Sequence, residues 1–243
     1  MENKKLVVGN MKMNLTASEI NKYIKEVDKK DYNKQVVFCP SSLYLPYFIG
    51  KNYGCGIQNI AAYDMGAYTG EVAAKQVASM KVDYTIIGHS ERREYFKETD
   101  DIVRTKVELA LAEKLKVILC IGETLKEREA LKTYAVLKRQ LTSALKGLDS
   151  ALVKKVIIAY EPVWAIGTGK VPTNQEIEDT IAFIKNIVKE ICDYKVKVLY
   201  GGSVNDENIA KLNEIPNVDG YLVGGASIKI EKFNKIIEVV VNQ

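Results

Sequence analysis

The sequence predicts an α/β protein built as a single (β/α)8 barrel (a TIM barrel), in which helices ring eight parallel strands. Short apolar runs recur along the chain, they are nearly continuous in Val, Ile and Leu, and amphipathic helical stretches separate them. Continuous apolar runs are typical of parallel strands that are covered on both faces. Eight strand–helix units favour closure of those strands into a barrel.

Eight runs are predicted strands. They are Leu6–Gly9, Val36–Cys39, Cys55–Gln58, Tyr84–Gly88, Val117–Gly122, Val156–Glu161, Val198–Gly201 and Tyr221–Gly224. No shift in composition and no Pro/Gly/Ser-rich linker interrupts the 243 residues, so we expect one domain over residues 1–243. Two doubly wound halves are the competing architecture, and the count of eight units favours the barrel.

The predicted helices carry apolar residues at spacings of three and four. The stretches Asp101–Lys114 and Gln175–Ile191 show this pattern, which is typical of a helix with one buried face. A third helix is expected over Ser90–Phe96. The spacing of a capping box marks two helix starts, at Thr16 with Glu19 and at Thr173 with Glu176.

Composition and charge exclude several classes of partner. Charged residues make up 27% of the chain and hydrophobic residues 47%, and the formal net charge is only +4. Because no block of like charge is present, we expect neither a nucleic acid nor a membrane surface as a partner. No run approaches the roughly 18 apolar residues of a membrane span and no signal peptide is visible, which predicts a cytoplasmic protein.

The cysteines and the single histidine argue against a metal site. The four cysteines lie far apart and form no Cys-x-x-Cys pair, which predicts reduced thiols. With one histidine in the chain, no spacing typical of metal ligands is found. A dinucleotide fingerprint is also absent from the sequence, so we expect neither a metal nor an organic cofactor.

The segment AYEPVWAIGTGK (159–170) places a carboxylate, Glu161, at the end of a predicted strand. Bulky apolar residues and then two glycines follow, a composition typical of a lid that closes over a site, here over residues 162–172. A lone glutamate at a strand end is more often solvated. In a (β/α)8 barrel, however, the strand ends form the site, and this favours Glu161 as a base.

Polar residues of different chemistry follow other strands. His89, the only histidine, precedes a predicted helix, whose N-terminus disfavours the imidazolium and favours a neutral ring that donates an N–H. A lone histidine is more often structural, and its strand-end position favours a catalytic role. Lys12 follows the first strand with Asn10 beside it, and it would bring a positive charge to an oxyanion. Glu91 is a candidate partner for Lys12, and an ordinary carboxylate at a helix start is the alternative interpretation.

Glycine pairs follow the last two strands. Gly201-Gly202 precedes Ser203, and Gly224-Gly225 follows the eighth strand. Glycine lets main chain approach a ligand closely, and loops at these two positions often bind phosphate in this type of barrel. With Gly167 of the lid nearby, the pattern predicts a phosphate site.

This set of groups fits proton abstraction next to a carbonyl, with Glu161 as the base and the enediolate stabilised by His89 and Lys12. Binding of the phosphate would provide energy to close the lid. Another sugar-phosphate isomerase, an aldolase, and a catalytically silent phosphate-binding barrel are the alternatives. A Schiff-base aldolase would need a lysine inside a strand, and none of the eight runs has one mid-strand.

Motifs along nearly the whole chain resemble those of the triosephosphate isomerases. They are GNMKMN (9–14), YTGE (68–71), GHSERR (88–93), CIGE (120–123), AYEPVWAIGTGK (159–170), YGGSV (200–204) and VGGAS (223–227). The resemblance implies the cofactor-free interconversion of dihydroxyacetone phosphate and glyceraldehyde 3-phosphate. It also implies a homodimer formed through the loop 66–71, in which Thr69 reaches toward the site of the neighbouring subunit.

The resemblance assigns roles residue by residue. Glu161 becomes the base that moves a proton between two carbons, His89 the electrophile, and Lys12 the electrostatic clamp with Asn10 beside it. The implied phosphate contacts are Gly167, Ser203, Gly224 and Gly225.

Two positions depart from the family pattern. Met11 stands where the family commonly has tryptophan, which should change packing near Lys12 but not its charge. Pro172 stands at the C-terminal hinge of the lid, where a small residue is usual. Proline fixes its own φ and restricts the residue before it, so we hypothesise that lid opening, and with it product release, is altered.

Overall fold

Eight parallel strands close into a barrel in the computed structural model of the chain, which describes residues 4–166 and 171–241. The strands are β1 (Leu6–Asn10), β2 (Val36–Cys39), β3 (Gly54–Ile57), β4 (Tyr84–Ile87), β5 (Lys116–Ile121), β6 (Val156–Tyr160), β7 (Lys197–Tyr200) and β8 (Gly220–Val223). Neighbours along the chain pair with one another, and β8 pairs with β1 through Leu6 and Gly220. The predicted (β/α)8 barrel is therefore confirmed.

Ten α-helices are found in the described part of the chain. They are α1 (Ala17–Val27), α2 (Ala74–Ser79), α3 (Ser90–Tyr95), α4 (Asp100–Ala112), α5 (Leu125–Glu129), α6 (Thr133–Leu145), α7 (Ser150–Val153), α8 (Asn174–Cys192), α9 (Ile209–Asn213) and α10 (Ile230–Val241). The same described residues also include three 3-10 helices, at Ser42–Tyr47, Val163–Ala165 and Gly225–Ile228. The helices lie outside the strands and cover the barrel.

The strands are apolar on both faces because each face is buried in a different layer. Side chains inside the barrel form one cluster, which includes Val8, Val37 and Ile118. The opposite face packs under the helices in a larger cluster, where Phe233 of α10 is fully buried. Burial of apolar surface on both sides stabilises a parallel sheet, and it explains the continuous apolar runs.

The predicted helix starts are found where the capping residues stand. The main-chain N–H of Thr173 donates to the Glu176 carboxylate at 2.7 Å, and Thr173 Oγ1 accepts from the Glu176 N–H at 3.2 Å. This reciprocal pair starts α8, the longest helix. At α1 the Glu19 carboxylate accepts from the Thr16 N–H at 2.7 Å. Both predicted capping positions are confirmed.

The connections differ from eight equal helices. After β2 the chain forms only the 3-10 helix Ser42–Tyr47, because Pro46 lacks the N–H that a longer α-helix would use. Two helices, α3 and α4, follow β4, and three helices, α5 to α7, follow β5. The strand ends also differ by one residue in places, and β6 ends at Tyr160 rather than Glu161. Glu161 therefore begins the loop, although its N–H still donates to the carbonyl of Ile121 at the end of β5.

No helix in residues 4–166 and 171–241 has both the length and the apolar character needed to cross a bilayer.

Candidate active site

A cavity of about 330 Å³ lies at the C-terminal ends of the strands. Five strand ends contribute to it, those of β1, β4, β6, β7 and β8. Its lining includes Asn10, Lys12, His89, Glu161, Ile166, Gly201, Gly202, Ser203, Leu222, Gly224 and Gly225. Such a volume suits a small ligand. The fold thus brings together the strand-end residues that were predicted from the sequence, apart from those treated separately below.

Glu161 and His89 are in direct contact at the bottom of this cavity. Glu161 Oε1 lies 3.0 Å from His89 Nε2, and Glu161 Oε2 accepts a hydrogen bond from the Ser90 main-chain N–H at 2.9 Å. Glu161 is 2% exposed and His89 is 6% exposed. Both carboxylate oxygens are therefore held by donors at the N-terminus of α3, where negative charge is favoured.

Burial and charge act in opposite directions on these two groups. Burial raises the pKa of the Glu161 carboxyl. His89, the Ser90 N–H and Lys12 together lower it by more than burial raises it, so the pKa lies below the ordinary 4.5. Burial lowers the pKa of His89, but the adjacent Glu161 raises it, so its pKa lies above the ordinary 6.5. The pair consequently favours an ionised carboxylate at neutral pH.

The hydrogen bonds of the His89 ring identify the nitrogen that carries its proton. Nδ1 accepts a hydrogen bond from the Glu91 main-chain N–H at 3.2 Å, so in the neutral ring the proton resides on Nε2. The neutral ring stays a prediction: the donor at Nδ1 favours it, whereas the adjacent Glu161 raises the pKa and acts against it. The sequence did not show, however, that Glu161 would lie beside Nε2 and raise the pKa of the ring.

Lys12 is held in an unusual main-chain conformation. Its φ is +53°, a region that non-glycine residues rarely adopt. Side-chain amides hold both of its main-chain groups: Asn10 Oδ1 accepts from the Lys12 N–H at 3.0 Å, and Gln58 Nε2 donates to the Lys12 carbonyl at 2.9 Å. Lys12 Nζ lies 2.6 Å from Glu91 Oε1, the pairing that was predicted. Asn10 therefore positions Lys12 as well as lining the cavity.

The glycine pair after β7 makes room for the carboxylate and for the loop itself. A Cβ atom on Gly201 would lie 3.1 Å from Glu161 Cγ, and one on Gly202 would lie 2.2 Å from the Tyr200 hydroxyl oxygen. The hydroxyl of Ser203 donates to the carbonyl of Ala165 at 3.0 Å. This loop therefore links the expected phosphate site to the first turn of the predicted lid.

The loop after β8 completes the same side of the cavity. The side chain of Lys12 passes close to Gly224, where a Cβ would lie 3.2 Å from Lys12 Cε. Within the described residues, no atom lies within 4 Å of a Cβ built on Gly225. Gly167, the remaining predicted phosphate contact, lies outside the described residues, as do positions 168–170 of the lid.

The described start of the lid is anchored to the loop after β5. Trp164 Nε1 donates to Glu123 Oε1 at 2.8 Å, and the Tyr160 hydroxyl donates to the same carboxylate at 3.2 and 3.3 Å. The guanidinium of Arg128 stacks on the Trp164 ring at 4.0 Å. Burial raises the pKa of Glu123, although the donors of Trp164 and Tyr160 partly offset the rise.

Thr69 is exposed on the loop between β3 and α2 and is not part of this cavity. The same loop carries Tyr63 and Tyr68, whose rings stack at 4.2 Å and are both about half exposed.

Several residues of the site were not identified as such from the sequence. Ser90, Glu123 and Gln58 act through main-chain or long-range hydrogen bonds. Glu123 could have been predicted as a site residue because it follows a predicted strand. Nothing in the sequence near Gln58 indicates that it contacts Lys12. Within the described ranges, no three His, Cys, Asp or Glu side chains come close enough together to hold a metal ion.

Comparison with known proteins identifies the family. A family model described as triosephosphate isomerase matches residues 5–240. This chain belongs to the triosephosphate isomerase family. The match includes every site residue described above, and it confirms the resemblance that the motifs indicated.

Curated relatives named triosephosphate isomerase are similar over almost their whole length. The one from Clostridium botulinum (strain Langeland / NCTC 10281 / Type F) is 44% identical, over 96% of this chain and 98% of its own length. Those from Alkaliphilus oremlandii (strain OhILAs) and Acetivibrio thermocellus are each 42% identical, over 96% and 97% of this chain and 98% of their own lengths.

Proposed function

We propose that this enzyme interconverts dihydroxyacetone phosphate and D-glyceraldehyde 3-phosphate through an enediolate, with Glu161 as the base. The observation that carries the proposal is the 3.0 Å contact between Glu161 and His89 in the strand-end cavity that Lys12 also lines. Membership of the triosephosphate isomerase family supports the choice of substrate. The reaction moves protons within one substrate. Side chains can carry out each of these transfers, so the proposed mechanism uses no cofactor.

In this mechanism Glu161 removes the proton from the carbon next to the carbonyl and returns it to the neighbouring carbon. Its lowered pKa keeps it ionised at neutral pH. Because both of its oxygens accept hydrogen bonds from His89 and Ser90 in this structure, at least one of these bonds has to be exchanged when it acts on substrate.

His89 and Lys12 stabilise the negative charge that develops on the substrate oxygens. The Nε2 proton of His89 is the one available to those oxygens, since Nδ1 is occupied by the Glu91 N–H. The Lys12 ammonium supplies a fixed positive charge, oriented by Glu91 and by the main-chain bonds from Asn10 and Gln58. Preorganised hydrogen-bond donors and charges usually make the largest contribution to rate acceleration in such sites, because they stabilise the charge that develops in the transition state.

The loops at Gly201–Ser203 and Gly224–Gly225 would hold the phosphate, together with Gly167 of the lid. Binding of the phosphate would favour closure of residues 162–172 and the exclusion of water. The link from Ser203 to Ala165 supports this coupling, because it joins one phosphate loop to the described start of the lid.

We further propose that the chain is a single domain and forms a homodimer through loop 66–71, with Thr69 near Asn10 and His89 of the neighbouring subunit. Exposed apolar side chains support this interface. They include Met13, Met65, Tyr68, Tyr95 and Phe96, each between 46% and 96% exposed. Of these residues, Met65 directly precedes the loop and Tyr68 lies within it. A cytoplasmic location, in glycolysis and gluconeogenesis, follows from the proposed reaction.

The function is tested by a coupled assay of glyceraldehyde 3-phosphate isomerisation on the wild type, Glu161→Gln and Glu190→Gln. Glu161→Gln should lower kcat by about 10²- to 10⁴-fold, the effect typical of losing a general base. Glu190 is exposed on α8, away from the cavity, so Glu190→Gln is a control that removes the same charge. No conversion by folded wild type would favour a silent phosphate-binding barrel or another sugar-phosphate enzyme.

A further inference from the structure

The loop after β5 supports the main chain of Glu161. The Glu161 N–H donates to the Ile121 carbonyl at 2.8 Å. A Cβ atom on Gly122 would lie only 1.7 Å from the Glu161 carbonyl oxygen, so Gly122 is in close contact with the peptide that carries the carboxylate. A change in the position of Gly122 therefore moves the main chain of Glu161.

The same loop supports the described start of the lid. The Val163 N–H donates to the Glu123 carbonyl at 3.2 Å, and the Trp164 indole donates to the Glu123 carboxylate at 2.8 Å. Gly122 and Glu123 are thus a common base for Glu161 and for the first turn of residues 162–166.

One side chain holds both main-chain groups of Gly122. Gln140 Oε1 accepts a hydrogen bond from the Gly122 N–H at 2.9 Å, and Gln140 Nε2 donates to the Gly122 carbonyl at 3.2 Å. Gln140 lies on α6 and is 5% exposed. Its amide takes the place of a neighbouring strand just past the end of β5, and it satisfies two buried polar groups that would otherwise require other partners.

Packing alone does not hold the loop on this side. A second cavity, of about 620 Å³, lies against it and is lined in part by Gly122, Gln140, Val163 and Trp164. Because this space is available, Gly122 could shift toward it if the two bonds from Gln140 were lost. The two bonds from Gln140 therefore restrain Gly122 on the side that borders this cavity.

We propose that Gln140 is a positioning residue for the general base: its amide fixes Gly122, and Gly122 in turn fixes the peptide of Glu161 and the first turn of the lid. The inference rests on the proposed function of Glu161. It assigns to Gln140 an effect on catalysis without any contact with the substrate, since Gln140 does not line the strand-end cavity.

Gln140→Met tests the proposal because methionine has a similar size and cannot make either bond. A displacement of about 1 Å can cost about 10²-fold in rate, so kcat should fall by up to that factor with KM little changed. The emission of Trp164, the only tryptophan, should also change because its partner Glu123 adjoins Gly122. Wild-type kcat in folded Gln140→Met, or a change in KM alone, would overturn the proposal.

Gln140→Glu supplies a readout that a purely structural role would not give. A protonated carboxyl accepts and donates as the amide does, whereas the carboxylate cannot donate to the Gly122 carbonyl. Burial raises the pKa of a carboxyl, so the change from the protonated carboxyl to the carboxylate should occur within the pH range of the assay. The kcat of Gln140→Glu, divided by that of wild type at each pH, should rise as the pH falls, and the same ratio for Gln140→Met should not. A flat ratio for Gln140→Glu would overturn the proposal.

Tyr32→Phe is the matched control. Tyr32 lies before β2 and away from the strand-end cavity, and the substitution removes its partly buried 2.5 Å hydrogen bond to Asn234, so it should lower stability and leave kcat unchanged. If the wild type does not isomerise triose phosphate, the proposed function fails. The positioning of the loop is then judged from Trp164 emission and from amide exchange of Gly122, neither of which needs a substrate. Unchanged values in Gln140→Met would overturn it.

Discussion

The contact between His89 and Glu161 makes the stability of the fold depend on pH, because each residue shifts the pKa of the other. The folded-state pKa of His89 lies above 6.5, so its contribution to stability is present below pH 6.5 and is lost as the pH rises through the folded value. The pKa of Glu161 lies below 4.5, so its contribution is present above pH 4.5 and is lost as the pH falls through the folded value. The contact should therefore stabilise the fold most between about pH 4.5 and 6.5.

Glu161→Gln should lower the pKa of His89. The substitution removes the negative charge that raises the pKa, while burial, which lowers it, remains. As the only histidine, His89 gives a single set of ring resonances, and an NMR titration of both proteins measures the change directly. A pKa that stays the same or rises in the variant would mean that Glu161 does not control the protonation of the ring.

Lys12→Met should lower kcat by at least about 10²- to 10³-fold, the loss typical of removing one group that stabilises an oxyanion. Steady-state kinetics of isomerisation give the measurement. Glu91→Gln is the companion variant, because it removes the partner of the ammonium and retains the ammonium itself, so its loss should be smaller. Equal losses in the two variants would contradict a direct role for Lys12.

At the residue scale, the sequence predicted which groups meet but not how they are held. Glu161, His89 and Lys12 could be placed at strand ends because a strand end is a local feature. The φ of +53° at Lys12, its bond from Gln58 and the bonds from Gln140 to Gly122 could not. These features depend on contacts between residues that are distant in sequence and that come together only in the closed barrel.

Among the elements, α8 depends on its capping box. Thr173→Ala should lower the free energy of unfolding by about 1 kcal/mol, because the Glu176 N–H loses its partner. Urea unfolding would show a lower midpoint with an unchanged slope. Thr173→Ser retains the hydroxyl and should remain near the wild-type value. A loss as large in the serine variant would show that the hydroxyl is not the stabilising group.

The hinge at the end of the lid gives a second prediction at this scale. Pro172 is buried and lies one residue before the cap of α8. Pro172→Ala frees the main chain there, so we expect a change in the rate of the ligand-induced relaxation of Trp164 fluorescence and in turnover. Stopped-flow mixing with inorganic phosphate or substrate measures the relaxation. If both rates equal those of wild type, the hypothesis of an altered hinge is wrong.

The elements themselves followed well from local pattern. Apolar runs identified all eight strands to within about a residue, since a buried parallel strand has little polar character. The connection after β2 was harder, because the segment before Pro46 has apolar residues and yet forms only a 3-10 helix. Periodicity does not register how one proline limits the length of a helix.

On the scale of the whole molecule, the proposed homodimer through loop 66–71, which the family resemblance implies, leads to a prediction. Thr69→Arg would place an unpaired charge in the proposed interface, which is costly, so the variant should be a monomer at concentrations at which the wild type is a dimer. Its kcat should fall as well, since Thr69 is proposed to approach the neighbouring site. Sedimentation velocity and the coupled assay measure the two effects.

Leu131→Arg is the control for this substitution. Leu131 is 94% exposed in the loop after α5, outside the proposed interface, so an arginine there should leave both the association and the kcat unchanged. A dimeric Thr69→Arg variant would place the interface elsewhere.

Closure of the barrel has a consequence for the chain while it is being made. β1 is complete at residue 10, and its second partner β8 ends at residue 223. At about 5–20 residues per second, roughly 10 to 40 s of synthesis separate the two strands. Through that interval one edge of β1 has no strand beside it, and an open edge readily accepts a strand from another chain. The growing chain is therefore more prone than the finished barrel to associate through this edge, until the last strand covers it.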